Sequence, residues 1–180
     1  MDKKDARNLI KERRMNLSME YIDTASDKIF EKLLENEDFK NAKVIMSYMD
    51  FKNEVKTDKI NDYIKKAGKT LVLPKVITKE KMIVIEDKNK YIVSPFGNSE
   101  PDGEEYIGEI DLIITPGVAF DREKNRVGFG RGYYDRFFAI HKNSKKIAIA
   151  FEKQIIEEGI ETTEYDMKVD TLVTEDNIIN

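Results

Sequence analysis

The sequence predicts an α/β fold, a three-layer sandwich in which helices flank a mostly parallel central sheet. Short apolar runs, such as residues 44–46 and 112–114, are typical of strands that are buried on both faces. Amphipathic stretches with helical spacing separate these runs, and this alternation is the pattern of a layered α/β domain. Because no linker, repeat or low-complexity tract interrupts the 180 residues, we expect a single domain over residues 1–180.

Three helices are predicted in the first part of the chain. Residues 3–15 form a helix with a basic character. Ser18 is a suitable N-cap for a second helix, whose apolar residues recur at helical spacing and are expected to face the core. A third helix is predicted between Thr57, as its N-cap, and Gly68, which ends it.

Four apolar runs are predicted to form parallel strands, and a fifth run is predicted to form an antiparallel one. Ligands of such sheets bind beyond the carboxyl ends of the parallel strands. The segments that follow these ends carry polar or aromatic groups, so we expect residues 48–54, 74–75 and 116–135, together with Gln154, to line one cleft. The parallel runs are residues 44–46, 71–73, 112–114 and 147–151, and the antiparallel run is residues 82–85.

Residues 88–109 contain prolines and glycines without a sustained period, so they are expected to form a long loop. Loops of this length in compact domains are often lids or binding loops. Phe96 is an apolar side chain in this polar segment. It either covers a planar ligand or pins the loop to the core, and the sequence leaves both roles open.

The amino-acid composition limits the kinds of catalytic and metal sites that the chain can form. The chain has no Cys and a single His, His141, which is expected at a helix C-terminus. Thiolate nucleophiles, disulfides and Cys-ligated metals are therefore excluded, and one imidazole cannot form a His-rich metal site. The remaining groups suit phosphoryl transfer, in which positioning and charge stabilisation dominate. A net charge of -4 argues against dedicated nucleic-acid binding, and the absence of a long apolar run or secretory signal favours a cytoplasmic protein.

Residues 125–135, Asn-Arg-Val-Gly-Phe-Gly-Arg-Gly-Tyr-Tyr-Asp, form the most informative segment of the sequence. Alternating glycines allow successive N–H groups to converge on an anion, at the start of a helix predicted near Tyr133. Arg126 and Arg131 can supply positive charge. The spacing matches neither Walker A nor the dinucleotide fingerprint. The segment predicts a phosphate site, with a flexible turn as the alternative that glycines alone would favour.

Lys3 and Arg7 lie one turn apart on the first predicted helix and therefore share a face. Such a pair either binds a polyphosphate or belongs to a solvated surface. The spacing alone leaves both interpretations open.

Taken in order, these motifs resemble the 5-formyltetrahydrofolate cyclo-ligase family, also called methenyltetrahydrofolate synthetases. The resemblance covers nearly the whole chain. Its most specific parts are the glycine segment and the Asp-x-x-x-Asp motif at Asp166 and Asp170. The other matching motifs are Lys3-x-x-x-Arg7, Ser47-Tyr48-Met49 with Glu54 and Thr57, Leu73-Pro74-Lys75, residues 116–121, Ala150-Phe151 with Gln154, and the loop at residues 96–101.

The resemblance implies a ligase of folate and one-carbon metabolism. Such an enzyme converts 5-formyltetrahydrofolate and ATP, with Mg²⁺, into 5,10-methenyltetrahydrofolate, ADP and phosphate. In the family's mechanism the formyl oxygen attacks the γ-phosphate, and N10 captures the resulting iminium phosphate as the ring closes.

The resemblance also implies roles for individual positions. Arg126, Arg131 and Asp135 are the implied catalytic residues. The implied Mg²⁺ ligands are Asp135 and Asp166, with Asp170 as the alternative to Asp166. Folate contacts are implied for Met49, Glu54, Phe96 and Tyr133, and ATP contacts for Lys3, Lys4, Arg7, Arg126, Val127, Gly128, Phe129, Gly130, Arg131, Gly132, Tyr133 and Tyr134.

Other interpretations stay open at this point. Asp135 also suits a carboxylate at a helix N-terminus, and Glu54 also suits a surface position. A non-catalytic nucleotide- or phosphosugar-binding domain, and RNA binding through the basic first helix, are the competing functions. We expect small-molecule substrates and a monomer, with neither nucleic acid nor a membrane as a partner.

Overall fold

The structure is a computed structural model that describes residues 1–95 and 97–180. Phe96 lies outside the described residues, so its predicted folate contact stays a prediction. The described residues form helices α1 (Lys3–Met15), α2 (Met19–Glu35), α3 (Glu37–Asn41), α4 (Asp58–Lys66) and α5 (Tyr133–Ile140), with a 3-10 helix at Glu152–Gln154. The strands are β1 (Val44–Met46), β2 (Thr70–Val76), β3 (Met82–Glu86), β4 (Tyr91–Val93), β5 (Ser99–Pro101), β6 (Leu112–Thr115), β7 (Ala119–Asp121), β8 (Arg126–Val127), β9 (Lys145–Ile149), β10 (Ile155–Ile156), β11 (Thr171–Val173) and β12 (Ile178–Ile179).

Seven strands form the central sheet, in the order β12-β11-β9-β6-β1-β2-β3. The five inner strands are parallel to one another, whereas β3 and β12 at the two edges are antiparallel to their neighbours. Among the parallel strands, the chain adds β2 on one side of β1 and then β6, β9 and β11 on the other side. The winding therefore reverses between β1 and β6. Such a switch point opens a crevice beyond the carboxyl ends of these two strands.

Successive residues of the parallel strands face opposite sides of the sheet. In β6, Leu112 and Ile114 belong to the apolar cluster formed with α2, α3 and α4, whereas Ile113 belongs to the cluster formed with α5. Ile45 and Met46 of β1 divide in the same way. Helices thus cover both faces of a mostly parallel sheet, and the predicted three-layer α/β sandwich is confirmed.

Helix α1 lies outside these layers and packs on a second sheet of three strands, in the order β10-β7-β8. Ala6 and Ile10 of α1 are fully buried and share an apolar cluster with Ala119 of β7 and Val127 of β8. The Met1 amine donates a hydrogen bond of 3.0 Å to the Gly159 carbonyl. These contacts fix the first turn of α1 beside the segment that follows β8.

Most of the predicted elements are confirmed, including the 3–15 helix and the antiparallel run at residues 82–85. The Ser18 hydroxyl accepts from Tyr21 N–H at 3.1 Å, as expected of an N-cap. Thr57 occupies the predicted N-cap position, but its hydroxyl donates to Asp50 instead of accepting from the helix.

The prediction of one long loop over residues 88–109 was wrong in part, because β4 and β5 pair there as an antiparallel ribbon. Each of these strands has three residues, too few for a period-2 pattern to be recognised. Within residues 1–95 and 97–180, no helix combines the length and the apolar character needed to cross a bilayer.

Candidate active site

The glycine segment leads from β8 into α5 at the edge of the sheet. Gly130 and Gly132 have φ angles of 96° and 66°, which lie in the left-handed region where other residues are strained. A Cβ atom at Gly128 would lie 2.9 Å from Nη1 of Arg126, so a larger residue here would displace the end of that buried side chain. Gly132 is the N-cap of α5 and offers no side-chain acceptor to its first N–H groups. The predicted helix start is confirmed, and its N–H groups are suited to an anion.

Arg126 is a buried cation beneath this segment. Its side chain is 3% exposed, and Nη2 donates to Oδ1 of Asp135 at 3.1 Å. The rings of Tyr134 and Phe138 flank the guanidinium, with centroids 5.5 and 5.7 Å from Cζ. Nε of Arg126 has no hydrogen-bond partner among the described residues. Two of the three predicted catalytic residues, Arg126 and Asp135, thus form an ion pair, in which Asp135, 25% exposed, is the member that solvent reaches.

The basic face of α1 meets the glycine segment. Nε of Arg7 donates to the Gly128 carbonyl at 2.8 Å. Nζ of Lys3 lies 2.5 Å from each carboxylate oxygen of Asp166. Lys4 is exposed. The structure therefore brings Lys3 and Arg7 into contact with protein acceptors, and their predicted phosphate contacts stay predictions.

Asp166 is held by several donors besides Lys3. The N–H and hydroxyl groups of Thr163 donate to Oδ2 at 2.6 and 2.9 Å. Burial acts to raise the pKa of Asp166, but the Lys3 ammonium and the Thr163 donors outweigh it and hold the pKa below its ordinary value. Asp170 instead uses Oδ2 to accept from Lys146 N–H at 2.8 Å, which fastens this turn to β9. This difference favours Asp166 as the cation-binding member of the motif.

The carboxylates of Asp135 and Asp166 fit a magnesium ion, since each already holds a protein cation. Mg²⁺ commonly takes one or two carboxylates and completes its shell with phosphate oxygens and waters. No group of three or more His, Cys, Asp or Glu side chains in the described part of the chain comes together as a metal cage. A metal at this site would therefore need phosphate oxygens and waters to complete its coordination shell.

The loop after β1 lies at the other side of the switch point. Asp50 organises it, since its Oδ1 accepts from the N–H and hydroxyl groups of Thr57 at 2.8 and 3.0 Å. Arg14 donates to the Lys52 carbonyl at 2.6 Å and so joins the end of α1 to this loop. Lys52 and Asn53 have φ angles of 45° and 57°, conformations that cost free energy and are retained at functional sites.

Glu54 in this loop has an unusual environment. Oε2 accepts from Phe51 N–H at 2.9 Å, and burial raises the pKa of Glu54 to about 7. The Phe51 N–H and the charge of Arg14 oppose this rise in pKa, while Asp50 adds to it. A carboxyl group that is half protonated near neutral pH can both donate and accept a hydrogen bond.

Glu54 shares its electrostatic environment with two tyrosines. Burial is the main cause that raises the pKa of the Tyr48 and Tyr134 hydroxyls, and the charge of Glu54 raises both further. The charge of Arg126 acts on Tyr134 in the opposite direction. Glu54 of the loop after β1 is therefore close enough to Tyr134 of α5 to act on it electrostatically.

The remaining predicted site residues differ in their surroundings. The Tyr133 hydroxyl donates to the Thr78 carbonyl at 2.9 Å, in the turn between β2 and β3. Met49 is 36% exposed, Phe129 is 64% exposed, and Arg131 is exposed as well. These last three side chains are accessible to a ligand.

The expectation that Gln154 lines the cleft was wrong. Gln154 is 3% exposed, and its Nε2 donates to the carbonyls of Gly117 and Val118 at 3.0 and 2.9 Å. Its Oε1 accepts from Phe151 N–H at 2.9 Å. The amide thus fastens the end of β9 to the chain between β6 and β7, because all these backbone groups need a buried partner.

Sequence reasoning did not identify Thr163 and Arg14 as supports of the site. The spacing Thr163-x-x-Asp166 is a local hydrogen-bonding pattern that could have drawn attention to Thr163. The Arg14 guanidinium donates to backbone carbonyls of a distant loop, a contact that no motif reveals.

Two surface cavities, of about 300 and 400 Å³, lie elsewhere on the protein. One is between α2 and the start of α4, and the other is beside β3. Neither includes a residue of the glycine segment. The candidate site is therefore identified by its contacts and charges at the switch point.

Fold and site together define an α/β protein with a cationic, glycine-rich site at the switch point of its sheet. The sequence matches the 5-formyltetrahydrofolate cyclo-ligase family over residues 1–175. The chain belongs to this family and is an enzyme, as the resemblance of its motifs predicted.

Relatives match the chain along most of its length. A probable 5-formyltetrahydrofolate cyclo-ligase of Schizosaccharomyces pombe is 33% identical over 178 residues, covering 88% of this chain and 87% of the relative. The 5-formyltetrahydrofolate cyclo-ligase of Mus musculus is 30% identical over 192 residues, with 97% and 94% covered. The NMR structure of Aquifex aeolicus 5,10-methenyltetrahydrofolate synthetase is 36% identical, with a TM-score of 0.85 and coverage of 98% and 91%.

Proposed function

We propose that this enzyme catalyses the ATP-dependent cyclisation of 5-formyltetrahydrofolate to 5,10-methenyltetrahydrofolate, with release of ADP and phosphate. Membership of the family, and the names of its relatives, support the folate conversion. The observation that carries the use of ATP is the docking of α1 on the glycine segment, with Arg7 Nε 2.8 Å from the Gly128 carbonyl. This docking gathers cations and backbone N–H groups at one site, as a triphosphate requires.

The triphosphate is assigned to the basic face of α1 and to the start of α5. Lys3 and Arg7 would each exchange a protein acceptor for a phosphate oxygen. The first N–H groups of α5 have no side-chain cap, and Arg131, just before this helix, is exposed. Lys4 and Phe129, both exposed, complete the proposed nucleotide contacts.

Asp135 and Asp166 would hold Mg²⁺, which supplies charge neutralisation and alignment of the phosphates when it is bound. Arg126 acts through Asp135, because the buried guanidinium fixes the carboxylate at 3.1 Å and is itself shielded from solvent. Its positive charge still lies beneath the site where negative charge develops, and such preorganised charge lowers the barrier.

The folate is assigned to the loop after β1. Glu54, whose pKa burial raises to about 7, suits the polar edge of a pterin, and Met49 and Tyr133 complete the proposed folate contacts. The formyl oxygen attacks the γ-phosphorus, and the bond from that phosphorus to ADP breaks. N10 then attacks the formyl carbon and loses its proton, and the carbon–oxygen bond breaks to release phosphate. The proposal places the two substrates side by side in one crevice, where binding would align the formyl oxygen with the γ-phosphorus.

An assay of ADP and methenyltetrahydrofolate in the same reaction tests the proposal. We expect one ADP for each methenyl product, and no product when ATP is left out. A protein that binds ATP but forms no methenyl product from 5-formyltetrahydrofolate would support the non-catalytic nucleotide-binding alternative instead.

A further inference from the structure

Three cations of the candidate site are already paired with protein acceptors. Lys3 holds Asp166, Arg7 holds the Gly128 carbonyl, and Arg126 holds Asp135. A polyphosphate that uses Lys3 or Arg7 must take over a cation that is engaged with a protein acceptor. The cost of breaking these contacts therefore enters the affinity for the ligand.

The contact between Lys3 and Asp166 has the form of a cation site. Nζ is equidistant from the two carboxylate oxygens, at 2.5 Å from each. The two side chains are 26% and 15% exposed, so the pair is partly shielded from solvent. Thr163 holds the carboxylate with two further hydrogen bonds, so its direction is fixed. The ammonium therefore occupies the position from which a metal ion would approach both oxygens.

The backbone around this pair is fastened as well. The Met1 amine donates to the Gly159 carbonyl at 3.0 Å, and the Glu161 N–H donates to the Met1 carbonyl at 2.9 Å. The first turn of α1 and the segment before Asp166 are thus held side by side. Lys3 can change its partner by rotation of its long side chain, without movement of the helix.

We propose that Lys3 is an internal substitute for the divalent cation. In the ligand-free enzyme its ammonium holds Asp166. When a triphosphate binds together with a divalent metal, Lys3 transfers to a phosphate oxygen and Asp166 transfers to the metal. This exchange of partners rests on the proposed function, since it assigns both ligands to the same site.

The exchange couples the two ligands. Metal alone must displace the ammonium and leave two cations close together, whereas triphosphate alone must take Lys3 and leave Asp166 facing its negative charge. Both arrangements are unfavourable at short range in a partly buried site. When the two ligands bind together, each charge gains an opposite partner. Metal and nucleotide therefore raise each other's affinity by the same factor, as linkage requires.

The first test measures Mn²⁺ alone, without nucleotide, by the electron paramagnetic resonance signal of the free ion. Wild-type enzyme should bind Mn²⁺ weakly, and Lys3→Met should bind it about tenfold more tightly, within the usual range of coupling between linked sites. Lys11→Met removes the same charge from an exposed position of the same helix and should behave like wild type. Adding Asp166→Asn to Lys3→Met should abolish the gain.

The second test measures ATP in the presence of EDTA by isothermal titration calorimetry. Asp166→Asn frees Lys3 and should bind metal-free ATP about tenfold more tightly than wild type. Glu164→Gln, an exposed residue of the same segment, is the matched control and should bind like wild type. A melting curve shows whether Lys3→Met folds. If it does not fold, the ATP measurement alone tests the exchange of partners.

The exchange is overturned if folded Lys3→Met binds Mn²⁺ no more tightly than wild type, or if the gain survives in the double variant. It is also overturned if Asp166→Asn binds metal-free ATP no more tightly than wild type. A measurement of how the wild-type enzyme binds ATP with Mg²⁺ distinguishes a failure of the exchange from a failure of the proposed function. If that binding is intact, only the exchange is wrong, and if ATP with Mg²⁺ does not bind at all, the proposed function is wrong as well.

Discussion

Asp135→Asn is expected to reduce both stability and turnover, because Asp135 is the partner of a buried cation. The Arg126 side chain is 3% exposed, and Asp135 provides its ion pair at 3.1 Å. The Asn oxygen can still accept from Nη2, but it carries no charge. The guanidinium then lies between two aromatic rings without a counter-ion, and an unpaired buried charge is strongly unfavourable.

The size of the stability loss follows from the exposure of the pair. Breaking a fully buried pair costs about 3–5 kcal/mol, whereas Asp135 is 25% exposed and Asn keeps a neutral hydrogen bond, so we expect about 2 kcal/mol. In a chain of this length, each kcal/mol lowers the melting temperature by about 2–4 °C, which gives a decrease of about 4–8 °C. Loss of a metal ligand should lower turnover by about a hundredfold or more.

Thermal unfolding followed by circular dichroism, with steady-state rates at limiting Mg²⁺, measures both effects. The double variant Asp135→Asn with Arg126→Met is the control, because Met suits the apolar space between Tyr134 and Phe138. It should recover most of the melting temperature but none of the activity. An unchanged melting temperature in Asp135→Asn would refute the structural role of the ion pair. A wild-type rate at limiting Mg²⁺ would leave Asp135 only a helix-terminal carboxylate.

Three further variants test other parts of the site. Burial raises the pKa of Glu54 to about 7 in the folded state, against an ordinary 4.5, so wild type should lose stability as the pH rises from 4.5 to 7. Glu54→Gln is neutral at every pH, so its urea unfolding should not show this loss. In calorimetry it should bind folate more weakly and ATP normally. The double variant Lys3→Ala, Arg7→Ala should raise the ATP KM sharply. Its melting temperature should change little, since a partly exposed ion pair contributes at most about 1 kcal/mol. Unchanged ATP kinetics would assign both residues to the protein surface alone. Gln154→Leu should destabilise the protein by about 2 kcal/mol, because three buried backbone groups lose their partner. The folded fraction should keep its KM values. A urea midpoint equal to that of wild type would contradict the structural role of Gln154.

The layers of the fold are visible in the sequence because burial on both faces leaves a strong signal. Runs such as residues 112–114 can be apolar throughout only where both sides of the strand are covered. The small sheet beneath α1 was not predicted. Its strands have two or three residues each, and β8 begins with the charged Arg126, so no periodicity marks them.

The site was predictable where its chemistry depends on neighbours in sequence. The glycines at positions 128, 130 and 132 predict unusual backbone torsion angles, and the structure has the expected helix start after them. The pair of Lys3 with Asp166 joins residues that are 163 positions apart, and it exists because α1 packs on the small sheet. The raised pKa of Glu54 was equally hidden, because it results from burial in the assembled crevice.

Formation of the methenyl chromophore from 5-formyltetrahydrofolate is the most direct test of the proposed reaction. Purified enzyme is mixed with the fresh substrate, Mg²⁺ and ATP, and absorbance of the product is followed together with the release of ADP. We predict a methenyl product that appears only when ATP is present and that matches ADP in amount. Product that forms equally well without ATP, or folded enzyme that forms none with all substrates present, would contradict the account.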